Sequence, residues 1–130
     1  MRLRYVRLVT NDVPRLVSFY QDITGITPAI GSDDYVELRT IAGTLAICSQ
    51  RSIELYGASS AVAESNRSAI IEFQVDDVDS ERVRIGGFVK DFDLEPTNQP
   101  WGNRSMLFRD PDGNLINFFA PVPGPLGNQS

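Results

Sequence analysis

The sequence contains no histidine. Imidazole is the usual general base near neutral pH, the usual proton shuttle and the commonest metal ligand, so one absence removes three kinds of chemistry. A Ser-His-Asp or Cys-His centre cannot be built from this chain. A zinc or iron site that relies on histidine is excluded as well. Cys48 is the single cysteine, so an internal disulfide is impossible. Lys90 is the only lysine among the basic residues. No apolar run approaches the roughly 18 residues that span a bilayer. The opening "MRLRYVRLVTND" lacks the continuous apolar stretch of a signal peptide. These features predict a cytoplasmic protein that does not engage a membrane. The net charge of −5 argues against nucleic acid as a partner, since that needs a basic stripe to neutralise phosphates. An acidic surface also aids solubility and mildly steers cations inward.

What is present reads as one globular domain. The chain has 130 residues, of which 42% are apolar and 22% charged, a balance that supports a packed core. In "YVRLVTNDVPRLVSFYQDITG", Val6 and Leu8 alternate with Tyr5, Arg7 and Val9, which predicts a strand. Asn11 or Asp12 can cap a following helix with Pro14 in its first turn, and Gly25 suits a left-handed stop. Val13, Leu16, Val17 and Tyr20 lie at helical spacing and should bury one face. Short strands are predicted around 27–30, 35–40 and 44–49, with Gly43 in the turn between the last two.

The second half repeats that order. "IIEFQVDDVDSERVRIGG" reads as a strand, an Asp-rich cap, a short helix and a glycine stop, with strands predicted near 88–92, 104–109 and 114–119. Aligning Asp12 with Asp77 (an offset of 65) sets Tyr5 on Ile70, Arg7 on Glu72 and Leu8 on Phe73. Aligning Gly43 with Gly113 (an offset of 70) sets Leu45 on Leu115 and Ile47 on Asn117. The reading is a βαβββ pattern used twice within residues 1–122. The first module covers about 1–55 and the second about 69–122. A small, polar linker at 56–68 joins them, and a tail follows at 123–130.

The turn at 110–113 is chemically well specified. Asp110 suits its first position, Pro111 presets φ at the second, and Gly113 accepts a positive φ. A three- to five-residue hairpin connection sets the register of the last strand. Leu115, Asn117 and Phe119 then share one face, while Ile116, Phe118 and Ala120 share the other.

The sequence resembles the vicinal oxygen chelate superfamily of glyoxalase I, extradiol dioxygenases and bleomycin or mitomycin resistance proteins. The resemblance covers about residues 3–120, and its carriers are "NDVPRLVSFYQDITGI" at 11–26 and "WGNRSMLFRDPDGNLINFF" at 101–119. One departure is "VDSERVRIGG", which is shorter than the helix usual at that place. The resemblance implies an α+β fold in which two βαβββ modules with curved mixed sheets enclose a cavity. It also implies a homodimer, with cavities shared between modules of two chains.

In the metalloenzymes of the group, one inward residue on each of four strands holds the metal, typically His, Gln or Glu. The positions implied in this sequence are Tyr5, Ile47 (or Ala46 if the preceding turn differs by one residue), Ile70 and Asn117. Divalent first-row metals need imidazole, thiolate or carboxylate donors. Ile and Ala donate nothing, a tyrosine hydroxyl with a pKa of about 10 is a poor ligand, and an Asn amide is a weak one. The expectation is therefore no metal, no cofactor, and no glyoxalase or dioxygenase chemistry.

The resemblance then implies the ligand-binding branch, in which the cavity sequesters a small organic molecule such as an antibiotic. Its expected ligand-binding residues are Tyr5, Arg7, Ile47, Glu72, Gln74, Trp101, Asn117 and Phe119. Arg7 and Glu72 either orient a ligand or satisfy each other as an ion pair. Trp101 either stacks on a planar ligand or packs on its own hairpin. Tyr35 and Tyr56 are rim candidates whose direction nothing in the sequence sets. The rival reading is a metal-independent isomerase or lyase. In it Glu72 is the base and Tyr5 donates to a developing oxyanion.

Overall fold

A computed structural model describes residues 1–57 and 60–123 of the chain. The described chain forms two units, Met1–Asn66 and a second that begins at Arg67. Of the expected linker at 56–68, residues 58 and 59 lie outside the described residues, as does the expected tail apart from Pro123.

The first unit runs β1 (Tyr5–Thr10), α1 (Val13–Thr24), β2 (Ala29–Ser32), β3 (Tyr35–Arg39), β4 (Thr44–Ser49) and the short α2 (Gln50–Ile53). A 3-10 turn over Glu54–Tyr56 follows. Its strands form one open sheet in the order β1-β4-β3-β2, with β1 parallel to β4 and the other pairs antiparallel. Asp12 is the residue that caps α1, accepting from Arg15 N at 3.1 Å, and Gly25 closes the helix with φ 71°. The helix lays Leu16, Tyr20 and Ile23, all at most 1% exposed, toward the sheet, where it packs on β3 and β4. Each such side chain contributes about 1.5–3 kcal/mol on burial. The segment after α2 is held by one side chain: Gln50 accepts from Ala63 N at 2.7 Å and donates to the Ala61 carbonyl at 2.9 Å.

The second unit runs β5 (Ile70–Gln74), α3 (Val78–Ile85), β6 (Phe92–Asn98), β7 (Asn103–Arg109) and β8 (Leu115–Pro121). Its sheet has the order β5-β8-β7-β6 with the same pattern of one parallel and two antiparallel pairs. Asp77 caps α3 through Ser80 N at 3.1 Å. The helix has only 8 residues and ends at Gly86 in a right-handed conformation, not a left-handed one. Phe118 meets Phe73 and Phe108 edge-on, at centroid distances of 5.7 and 5.2 Å, in the core under α3.

Both units therefore carry the βαβββ order, and the α+β architecture of two four-stranded mixed sheets agrees with the sequence reading. Each sheet is open. One detail differs. The first strand after α3 begins at Phe92, not near 88, because the amides of Phe88 and Val89 still bond back to the Ile85 carbonyl at 2.9 Å. That strand runs through Pro96, which is tolerated because β6 is an edge strand with a register shift between Leu94 and Thr97. Among the described residues no helix is long and apolar enough to cross a membrane.

Candidate functional site

In each unit the helix covers one face of the sheet, and polar or aromatic side chains gather on the other. In the first unit β1 presents Tyr5, Arg7 and Val9 on the helix-free face. Strand register adds the rest: Arg7 stands beside Ala46 and Val9 beside Cys48, while Glu37 stands beside Ala46 and Tyr35 beside Cys48. The side chains of paired residues point to the same side. The face thus carries Tyr5, Arg7, Tyr35, Glu37 and Arg39 around the small residues Ala46 and Cys48.

This register corrects one expected site residue. Ile47 pairs with Leu8 and Val36, is fully buried, and belongs to the face under α1. Leu45 and Ser49, which share the period of Ile47, pair with Val6 and Thr10 and lie on the same side as Ile47. Ala46, the alternative in the sequence reading, takes the place on Tyr5's face. Cys48 is fully buried on the same face, with Arg7 and Glu37 each one row away on the flanking strands.

Arg7 donates from Nη2 to the Tyr56 hydroxyl at 3.0 Å. Its guanidinium carbon lies 5.2 Å from the Tyr56 ring centroid and 5.9 Å from that of Tyr35. Both are within cation–π range. The Tyr56 contact holds the guanidinium's pKa above its ordinary value, although partial burial opposes this. Tyr35 donates its hydroxyl to Glu37 Oε2 at 2.8 Å, and Arg39 Nε donates to Glu37 Oε1 at 2.8 Å. Arg39 first and Tyr35 second hold the Glu37 carboxyl below its usual range. Burial, followed by the bond to Glu37, pushes the Tyr35 hydroxyl up. Sequence reasoning missed this network, although "YVELR" carried a signal: Tyr35, Glu37 and Arg39 alternate with the buried Val36 and Leu38. Tyr56 is a rim candidate with no direction set by the sequence, and it reaches Arg7 because α2 and the 3-10 turn carry it there.

In the second unit the register brings together Glu72, Asn117 and Leu107 at mid-sheet, with Gln74, Phe119 and Ser105 in the next row. Asn117 Nδ2 donates to Glu72 Oε1 at 3.0 Å. Asn117 is only 9% exposed, whereas Glu72 is exposed. The amide orientation follows from chemistry, since turning it over would set two acceptors against each other. Asn117 Oδ1 is then a buried acceptor without a hydrogen-bond partner. Gln74 is exposed and Phe119 half-buried on this face. Trp101 is 68% exposed in the turn between β6 and β7, beyond the row of Gln74 and Phe119. It does not pack into its hairpin. Arg104 bonds Asp79 at 2.9 Å through two nitrogens and serves the sheet–helix connection.

The metal positions implied by resemblance hold Tyr5, Ala46, Ile70 and Asn117 once the register is applied. A phenol, two hydrocarbons and an amide do not fit a divalent first-row ion. Among the described residues no group of three or more His, Cys, Asp or Glu side chains is placed to hold a metal ion.

The Glyoxalase/Bleomycin resistance protein/Dioxygenase superfamily matches residues 2–118 of the chain. A glyoxalase/bleomycin resistance protein/dioxygenase from Nocardioides is 23% identical, with a TM-score of 0.80 over 97% of this chain and 87% of that one. A family enzyme from Burkholderia phytofirmans PsJN is 22% identical, with a TM-score of 0.81 over 94% of this chain and 100% of that one. A protein of unknown function from Agrobacterium tumefaciens is 26% identical, with a TM-score of 0.78 over 92% and 93% of the two chains. No curated protein matches the chain.

Proposed function

The chain belongs to the Glyoxalase/Bleomycin resistance protein/Dioxygenase superfamily, and from that premise we propose that it binds and sequesters a small organic molecule without a metal. The observation that carries this reading is the donor set. The implied metal positions offer a phenol, an amide and two hydrocarbons, while the same sheet faces keep Arg7 with Tyr56 and Glu72 with Asn117 as hydrogen-bonding groups. Aromatic surface beside a few placed polar groups can orient an organic ligand, the polar groups supplying the specificity. Bleomycin resistance is part of the family's description, so antibiotics are the first ligands to screen. The proposal includes a homodimer working in the cytoplasm.

The test uses purified protein, elemental analysis and a thermal-shift screen of organic compounds with and without a chelator. The expected result is substoichiometric metal and a ligand-induced rise in melting temperature that survives chelation. Stoichiometric zinc, nickel, manganese or iron, removed with loss of ligand binding, would overturn the reading. Size-exclusion chromatography with light scattering checks the dimer.

A second reading has one observation in its favour. Glu72 is exposed yet oriented by Asn117, which is how a general base is held for a metal-independent isomerase or lyase. Glu72→Gln would abolish turnover on that reading and only shift affinity on the first.

A further inference from the structure

Arg7 differs from the six ion-paired arginines of the described chain in what surrounds its charge. Those six are bonded to carboxylates: Arg39, Arg51, Arg82, Arg84, Arg104 and Arg109. Arg7 has instead a neutral phenol as its hydrogen-bond acceptor and two aromatic rings as its neighbours. The carboxylate on the same sheet face, Glu37, is already occupied at both oxygens by Tyr35 and Arg39. It also lies two strands away from Arg7, with Ala46 between them in the register. A guanidinium has five N–H donors in a planar fork, and Tyr56 takes only one of them. Among the described residues of its own unit, the positive charge therefore has no carboxylate within ion-pair distance.

The surroundings also say what shape an occupant should have. Tyr56, 64% exposed, touches Arg7, and Tyr5, 50% exposed, stands two residues before Arg7 on the same face of β1, so two phenol rings offer apolar surface on the cation's side of the sheet. The Arg4 guanidinium carbon lies 6.0 Å from the Tyr5 ring centroid and adds a second positive charge at that edge. Flat rings stack on such aromatic surface, and a carboxylate accepts two parallel bonds from a guanidinium fork.

We propose that the Tyr5–Arg7–Tyr56 face of the first sheet is a recognition site for a planar aromatic carboxylate. Arg7 takes the acid group, and Tyr5 and Tyr56 take the ring. The inference rests on the binding function proposed above and specifies the ligand class for it. It sets the expected ligand charge opposite to what the chain's net charge of −5 would attract by long-range steering. At this site the local charge decides, because it acts at contact distance.

The test is calorimetric titration of the whole chain with naphthoate, naphthamide, naphthylmethylamine and cyclohexanecarboxylate. Naphthoate should bind about tenfold more tightly than each of the others. Arg7→Gln should remove about tenfold of the naphthoate affinity and leave naphthamide unchanged. Tyr56→Phe keeps the ring but loses the hydroxyl that positions the guanidinium, and should weaken naphthoate about threefold. That variant carries the test if Arg7→Gln fails to fold. Amide shifts in NMR should cluster at β1 and Tyr56 on naphthoate addition. The proposal is overturned if the amine binds as tightly as the acid, if the Arg7 and Tyr56 variants bind naphthoate unchanged, or if no probe binds. Binding of the amine with shifts at Glu72 and Asn117 would overturn this ligand class while leaving the general binding function intact.

Discussion

Asn117 and Glu72 are direct partners in the parallel pairing of β8 and β5, and Asn117 Nδ2 donates to Glu72 Oε1 across 3.0 Å. The same amide leaves its oxygen buried and unpartnered. A buried acceptor without a donor costs about 1–3 kcal/mol, whereas the lost bond to an exposed carboxylate is taken over by water. Asn117→Leu should therefore raise stability by about 1 kcal/mol in urea denaturation. A fall in stability would show that the bond to Glu72 outweighs the orphaned oxygen.

The hairpin between β7 and β8 depends on one buried carboxylate. Asp110 accepts from Asp112 N and Asn114 N at 2.9 Å each and from Asn114 Nδ2 at 2.8 Å. Asp110→Ala removes all of these and leaves the buried Asn114 amides short of an acceptor. The expected loss is about 3 kcal/mol, summed at roughly 1 kcal/mol per bond. Asp110→Asn retains a side-chain oxygen for the backbone donors and should cost clearly less. Equal losses in the two variants would argue against this account of the turn.

Phe118 is the ring that joins Phe73 and Phe108 in the second core and is 2% exposed. Phe118→Ala should destabilise by about 3–5 kcal/mol, combining lost transfer energy with the cavity left behind. Equilibrium denaturation of a chain that still folds at low temperature measures it.

Acid sensitivity should be visible at Asp34. Ser49 Oγ donates to it at 2.7 Å and Arg51 Nη2 at 2.7 Å, and these bonds hold its carboxyl below the ordinary range. A carboxyl depressed in the folded state adds stability above its unfolded pKa of about 3.9. That stability is lost as pH falls through the lower folded value. Asp34→Asn should thus lower the urea midpoint near neutrality, with a gap that closes as pH drops below the carboxylate range. A gap independent of pH would assign the effect to packing.

Much of this molecule is set locally. Asp12 and Asp77 end their strands and start their helices because a short acidic side chain can bond the orphaned amides two or three residues on. Gly25 stops α1 at a positive φ, and "DPDGN" closes one hairpin, which in turn settles that Asn117 shares a face with Leu115 and Phe119. Alternation alone sufficed for Glu72, whose neighbours Ile71 and Phe73 are more apolar and less exposed.

Tertiary structure decided where local pattern carried no sign. Leu45, Ala46, Ile47 and Cys48 form an unbroken apolar run, all buried, so period-two reasoning cannot say which pair faces the helix. The pairing of Leu8 with Ile47, under α1, settles it and places Ala46 beside Arg7. The strand expected near 88–92 lies instead at Phe92–Asn98 and runs through Pro96: whether a missing amide matters depends on whether a neighbour strand lies on that side, and β6 is an edge. The meeting of Arg7 with Tyr56, 49 residues apart in the chain, required a helix, a 3-10 turn and a sheet to bring a charge under a ring. A residue's own chemistry and its near neighbours set caps, turns and strand period. Which side chains meet across strands is set by register, and register is a property of the assembled sheet.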